Sequence, residues 1–284
     1  MKKFKPSKKL GQNFLNNPKI LEEIIEAAEI SANNTVIEVG AGTGLLTEKL
    51  AKTGAQILAV EKDRRLISNL QGKFKSQRNV HPVNSAEGGA VKQQFNRVEI
   101  VESDILQFNP QKYKLKDDSY KIIGNIPYYL TSHLLKTVLE EWPKPKLILF
   151  MVQKEVAERI VAKPPEMSLL ALAVQVYAEA EIIKFVSKEN FYPKPKVDSA
   201  LIKIIPRDQS LVSKNSAPNF FRLIRAGFSG KRKQLINSLS ANLKIPKELL
   251  LVALQKAEIN PQTRPQSLSL NEWLKLNQIL FSQS

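Results

Sequence analysis

Along residues 18–206, short unbroken apolar runs alternate with stretches whose apolar positions recur every three or four residues. The runs Thr35–Val39, Gln56–Val60, Val98–Glu102 and Tyr120–Gly124 are too short for helices and rich in Val and Ile, so they predict buried strands. Leu147–Val152, Glu181–Val186 and Ala200–Ile205 predict further strands, the last two an antiparallel pair flanking Phe191–Ser199. Between them, Pro18–Ile30 places Ile20, Leu21, Ile24, Ile25 and Ala28 on one helical face. Leu45–Lys52, Ser132–Trp142, Lys154–Ala162 and Ser168–Ala178 also read as helices. Past the polar, irregular stretch 206–218 every periodic segment is helical: Phe220–Phe228, Lys233–Leu243, Lys247–Ala257 and Leu270–Leu280. The pattern predicts an α/β fold: a Rossmann-like sheet of about seven strands with helices on both faces over residues 1–206, then a smaller all-helical domain over 207–284.

Chemistry gathers where the predicted strands end. Val39 runs into Gly40-Ala41-Gly42-Thr43-Gly44 and then a helix, the frame of a nucleotide site, since glycine lets backbone approach a ligand. The spacing is neither that of dinucleotide enzymes nor that of a P-loop. Glu61 ends the second strand, where an acid is placed for ribose hydroxyls. Asp104 follows the third, either accepting from an adenine amine or capping a turn. Asn125-Ile126-Pro127-Tyr128-Tyr129 follows the fourth. Proline holds Ile126 extended, which sets its carbonyl beside the Asn125 amide. Two such oxygens can accept both hydrogens of an exocyclic amine, and Tyr128 offers a flat face to a base. The plainer reading is a polar strand-to-helix turn. Because ligands of open α/β sheets bind at the carboxyl ends of the strands, all four tips should line one crevice.

These motifs resemble those of the ribosomal RNA adenine N6-dimethyltransferases that modify small-subunit rRNA, S-adenosylmethionine-dependent enzymes. The resemblance covers nearly the whole chain: Lys8–Leu15, Glu38–Thr47, Asn125–Tyr129, Phe191–Ser199, Arg225–Ser229 with Lys231-Arg232-Lys233, and Arg264-Pro265 with Leu268-Ser269-Leu270. It implies that S-adenosylmethionine is held by Asn13, Leu15, Gly40, Glu61, Asp104 and Asn125, with Asn125 also facing the target. Tyr128 and Phe191 would stack on the target adenine; for Phe191 the alternative is a core anchor beside a rigid proline loop. The implied reaction is N6,N6-dimethylation of two adjacent adenosines in a hairpin near the 3′ end of small-subunit rRNA, coupled to assembly of that subunit. The implied partner is rRNA in an immature small ribosomal subunit, met by a monomer in the cytoplasm. One departure is a long polar connection, residues 78–96, between Glu61 and Asp104.

Composition narrows the alternatives. The 284 residues include no cysteine, which removes disulfides, thiolate metal sites and the cysteine nucleophile of pyrimidine-carbon methylation. His81 and His133 are the only histidines, too few for a His-based metal centre. No apolar run is long enough to span a bilayer, and no secretory core is present near the start. Net charge is +16, of which residues 1–20 carry +6 and residues 207–284 carry +8. Basic ends on a near-neutral middle suit a polyanion, although a solvated lysine-rich surface would read alike. Lys2, Lys3, Lys5, Lys8 and Lys9 form one patch, Lys231, Arg232 and Lys233 the other. Two other functions fit less well. A large-subunit rRNA methyltransferase is disfavoured by the basic tail, and a non-catalytic assembly factor by the intact Asn125–Tyr129 motif.

Overall fold

The computed structural model of the chain describes residues 5–7, 10–75, 97–230 and 233–281. The connection 78–96 and the basic residues Lys2, Lys3, Lys8, Lys9, Lys231 and Arg232 lie outside the described residues. The elements up to residue 206 are β1 (Phe14–Leu15), α1 (Pro18–Ala27), β2 (Thr35–Val39), α2 (Leu45–Lys52), β3 (Gln56–Glu61), α3 (Arg64–Lys75), β4 (Val98–Glu102), β5 (Tyr120–Asn125), α4 (Thr131–Glu140), β6 (Leu147–Gln153), α5 (Lys154–Ile160), α6 (Leu169–Gln175), β7 (Ala178–Val186), β8 (Phe191–Tyr192) and β9 (Ser199–Pro206). The chain divides into two compact units, 1–154 with 181–206, and 155–180 with 207–284.

Seven strands form one sheet in the order β4-β3-β2-β5-β6-β9-β7. Neighbours from β4 to β6 are parallel, and β9 joins β6 antiparallel. Val36, Ile37, Ile57, Leu58, Ile122, Ile123, Leu149 and Phe150 are almost wholly buried. Burial on both faces explains why these strands read as continuous apolar runs rather than as alternation. Strand order reverses between β2 and β5, so the tips of those two strands flank the switch point where such sheets bind ligands. Gly124 makes this pairing possible: a Cβ there would lie 2.6 Å from the Val39 carbonyl oxygen. Past the long connection, β4 pairs Glu102 with Glu61, which sets Asp104 beyond the strand tip.

Helix α1 shows how local chemistry fixes an element. The Asn17 side chain caps its first turn by accepting from Lys19 N at 2.9 Å, and Pro18 follows where no amide partner is needed. At the other end the buried Lys121 of β5 donates from Nζ to the carbonyls of Ala28 (2.8 Å) and Glu29 (2.7 Å). Burial pulls the Lys121 pKa down, yet those two carbonyls, left over at the helix end, match its charge.

Two features differ from the pattern-based expectation. Helix α3 and the antiparallel ribbon that pairs Phe14 with Tyr192 and Leu15 with Phe191 were not expected. Two-residue strands carry no periodicity to detect. The single boundary expected at residue 206 also needs correction, because residues 155–180 fall in the second unit. Met167, Ala171, Leu172 and Val176 join the same core as Phe220, Leu223, Leu239, Leu254 and Trp273. Backbone bonds from Met167 to Gln266 (2.9 Å) and from Arg207 to Tyr177 (2.8 Å) tie the segments together. An apolar helix face says that it must be covered, not by which later segment.

The rest of the second unit is α7 (Ala217–Phe228), α8 (Leu235–Leu243), α9 (Lys247–Lys256) and α10 (Leu270–Phe281). Trp273 of α10 is fully buried and lies on Gly227 of α7, where an added Cβ would fall 2.3 Å from the ring. Ser269 and Glu272 form a capping box at the start of α10, with Glu272 Oε2 accepting from Ser269 N at 2.7 Å and Ser269 Oγ accepting from Glu272 N at 3.3 Å.

Candidate cofactor and target site

One pocket in the first unit collects the tips of β2, β3, β4 and β5. It is lined by Gly40 and Gly42, by Glu61, by Ser103 and Asp104, and by Asn125 through Leu130, with Leu10 through Phe14 on a further side. Of the residues expected at the cofactor, Asn13, Gly40, Glu61, Asp104 and Asn125 line this pocket. Leu15 does not; it is buried in the core. Of the residues expected at the target, Tyr128 lines the pocket and Phe191 does not. Phe191 is 4% exposed and packed in the core cluster with Leu15, its partner across the ribbon. Its ring would have to move outward to meet a base.

The glycine loop follows β2 because its backbone must turn left-handed. Gly40 and Gly42 have φ of +73° and +59°, and a Cβ on Gly42 would lie 3.0 Å from the Phe14 ring. The turn aims the Gly42 amide at Glu61, which accepts it at 2.9 Å. Glu61 Oε1 accepts from Lys62 N at 2.9 Å and Asp63 N at 2.8 Å. Three amides thus hold a buried carboxylate at the pocket wall. A carboxylate has roughly four lone-pair sites, so one acceptor position remains for a hydroxyl donor.

Asp104 serves two partners. Its Oδ1 caps the turn at Leu106 N (3.1 Å) and its Oδ2 takes Lys62 Nζ (2.6 Å). Burial pushes its pKa up, but Lys62 and the Leu106 amide outweigh that and hold it below the usual value. The capping reading of this acid holds, and the same side chain lines the pocket.

Asn125 Nδ2 donates to the Asn13 carbonyl at 2.6 Å. A carbonyl only accepts, so the NH2 end of the amide must face it, and the oxygen end is assigned by chemistry. Among the described residues nothing donates to Asn125 Oδ1, which is left as an acceptor. Tyr128 is half-buried with its hydroxyl 3.2 Å from Ser199 Oγ, and burial raises its pKa, so it stands as a neutral flat ring. Tyr129, 65% exposed, stands at the pocket rim.

Motif reading passed over three groups. Glu38, under the glycine loop, is 1% exposed, and burial pushes its pKa up to about 8. Thr47 beside it pulls the other way and the Glu61 charge pushes further up. Among the described residues neither Glu38 Oε2 nor Thr47 Oγ1 completes a hydrogen bond, so burial wins. Gln12 and Asp63 are bonded to each other at 2.8 Å. Gln12 and Glu38 lie within Lys8–Leu15 and Glu38–Thr47, and Asp63 two residues past Glu61; the Gln12–Asp63 pairing is invisible in sequence because 51 residues separate the two.

Relatives show the family of the chain. A profile of the family described as ribosomal RNA adenine dimethylase matches residues 3–281. The chain belongs to the ribosomal RNA adenine dimethylase family. It is thus an S-adenosylmethionine-dependent rRNA adenine methyltransferase, and the donor set fits that cofactor: a held carboxylate, a cradle free of Cβ atoms and a second acid. Ribosomal RNA small subunit methyltransferase A of Dehalococcoides mccartyi strain CBDB1 is 41% identical over 272 residues, covering 96% of this chain and 87% of the relative. The protein of the same name from Clostridium botulinum strain Okra is 38% identical over 280 residues, covering 98% and 95%. Among solved structures, a dimethyladenosine transferase from Plasmodium falciparum matches with a TM-score of 0.75 at 28% identity, covering 95% of this chain and 98% of that one. The 23S rRNA methyltransferase ErmE matches with a TM-score of 0.71 at 26% identity, covering 94% and 99%.

Proposed function

We propose that this dimethylase converts two adjacent adenosines, in a hairpin near the 3′ end of small-subunit rRNA, to N6,N6-dimethyladenosine. Its substrate is an immature small subunit, and the reaction is coupled to assembly of that subunit; the enzyme acts as a monomer in the cytoplasm. The observation that carries this reading is the Asn125 amide, tied by its NH2 end to Asn13 with its oxygen left to accept, in the same pocket as Tyr128 and Glu61. The small-subunit assignment is supported by relatives at about 40% identity that carry that name.

Bound S-adenosylmethionine would supply an electrophilic methyl group. Gly40 would meet its methionine part, Glu61 its ribose and Asp104 its adenine, with Asn13 and Leu15 contributing from the N-terminal segment. Leu15 can do so only through its backbone, since its side chain is in the core. On the target side the difficulty is the adenine amine, whose lone pair is delocalised into the ring. Asn125 Oδ1 and the Ile126 carbonyl would accept its hydrogens, favour a pyramidal nitrogen and localise the pair, which is worth about a hundredfold or more in rate. The methylated nitrogen is acidic, so no strong base is needed. Unstacking the adenosine costs a few kcal/mol, and the Tyr128 face offsets part of it. After one transfer a single hydrogen remains, so the second transfer uses one of the two acceptors.

Mass spectrometry of nucleosides from rRNA of immature small subunits methylated in vitro tests this. Dimethyladenosine at two neighbouring positions is expected. Monomethyladenosine alone at completion, or modification confined to large-subunit rRNA, would overturn it.

A further inference from the structure

The Asp63 side chain has no part in the roles above, yet the residue is 5% exposed and its carboxylate is held from two sides. Arg65 grips it bidentately, Nε to Oδ1 at 2.9 Å and Nη2 to Oδ2 at 2.6 Å. The Arg65 amide adds a bond to Oδ1 at 3.1 Å. Gln12 Nε2 in turn donates to Oδ2 at 2.8 Å. Gln12 Oε1 accepts from Ser7 N at 2.7 Å. An acceptor at one end of the Gln12 amide and a donor at the other leave it one orientation. Arg65 Nη1 also donates to the Lys5 carbonyl at 3.3 Å. The segment carrying Ser7 and Gln12 is therefore tied to the turn after β3 by its own side chains.

The tie reaches the target side of the pocket through one residue. Asn13 follows Gln12, and its carbonyl takes the Asn125 amide. Gly11 precedes Gln12 in left-handed backbone, φ +62°, with the Tyr129 ring and Pro127 side chain 3.4 and 3.6 Å from where its Cβ would be. The segment thus bridges the β3 tip, where the cofactor ribose is read, and the β5 tip, where the amine is read.

We propose that Asp63 is a positioning residue: through Gln12 it fixes residues 10–13, and the Asn13 carbonyl in that fixed segment orients the Asn125 amide so that Oδ1 is presented to the target amine. This rests on the reading of Asn125 given above. Its ionised state suits the task, since the Arg65 guanidinium holds the Asp63 pKa down to about 2. A simpler role would be capping of α3, because Asp63 also accepts from the Arg65 amide at the start of that helix.

Variants of the full chain separate the two. Gln12→Leu removes the tie and leaves the cap. Asp63→Ser keeps a capping side chain too short for Gln12. Single-turnover methylation at saturating cofactor and rRNA should fall about tenfold in each. The double variant should be no worse than either single one, and melting of Gln12→Leu should be unchanged. In an Asn125→Ala background, Gln12→Leu should cost nothing further. Additive losses, or a normal single-turnover rate with lowered melting in Asp63→Ser, would leave only the cap and overturn the proposal. If Asn125→Ala itself turned over normally, the reading of Asn125 would fail. A slow Asn125→Ala beside a normal Gln12→Leu would fail the tie alone.

Discussion

At the tips of β3 and β5, side chains in and beside the pocket are held by other polar groups: Glu61 by three backbone amides, Asp63 by Arg65 and Gln12, Asn125 by Asn13. In the second unit the buried Ser238 Oγ, Trp273 Nε1 and Asn277 Oδ1 have no hydrogen-bond partner among the described residues, as Glu38 Oε2, Thr47 Oγ1 and Thr131 Oγ1 have none away from those tips in the first, and apolar packing around Phe220, Leu239 and Trp273 provides the cohesion. The difference shows how each unit can contribute. Chemistry at an amine needs acceptors fixed in direction, which costs partners and burial. A unit proposed to meet a polyanion through surface charge would need only a stable body. The second unit contains the more basic end of the chain, and Leu249, Leu251 and Val252 on α9 add an exposed apolar stretch to it.

The sharpest way to break this contrast is at the second core. Trp273→Ala should destabilise that unit by about 3–5 kcal/mol in urea denaturation. Trp273→Phe, which removes the orphaned N–H and keeps most of the volume, should cost much less. Equal losses in the two would mean that the indole N–H matters more than packing.

Next comes the buried acid beneath the pocket. The folded-state pKa of Glu38 is raised from 4.5 to about 8, so the folded protein holds that proton more tightly. Its contribution to stability is complete below the unfolded value and is lost as pH rises through that window. Glu38→Gln should remove that slope, roughly 2–4 kcal/mol between pH 5 and 8, seen by chemical denaturation across pH. An identical pH dependence in the variant would mean that Glu38 is solvated or paired.

At the pocket itself, Asn125→Ala should slow single-turnover methylation about a hundredfold, near 2.7 kcal/mol, and weaken cofactor binding by much less than that. Glu61→Ala should do the reverse and weaken cofactor binding by up to roughly 1.5–3 kcal/mol, measured by calorimetry. If both variants lost the same function, the two sides of the pocket would not be separable.

The smallest effect belongs to the surface. Reversing charge at Lys231, Arg232 and Lys233 should flatten the dependence of rRNA affinity on salt by about 0.7–0.9 in log–log slope for each phosphate no longer neutralised. An unchanged slope would leave the cluster as solvated surface.

Periodicity and composition in the sequence determined the seven strands of the main sheet, most of the helices and the strand tips that carry Gly40, Glu61, Asp104 and Asn125. These follow from local rules: burial writes apolar runs, turns demand glycine, and ligands bind at strand ends. Tertiary structure alone decided that residues 155–180 fall in the second unit, that Leu15 and Phe191 are buried in the core, and that Gln12 bonds to Asp63 and Asn13 to Asn125. Such pairs join residues far apart along the chain. A side chain's partner is set by which backbones the sheet brings side by side, and no local pattern records that choice.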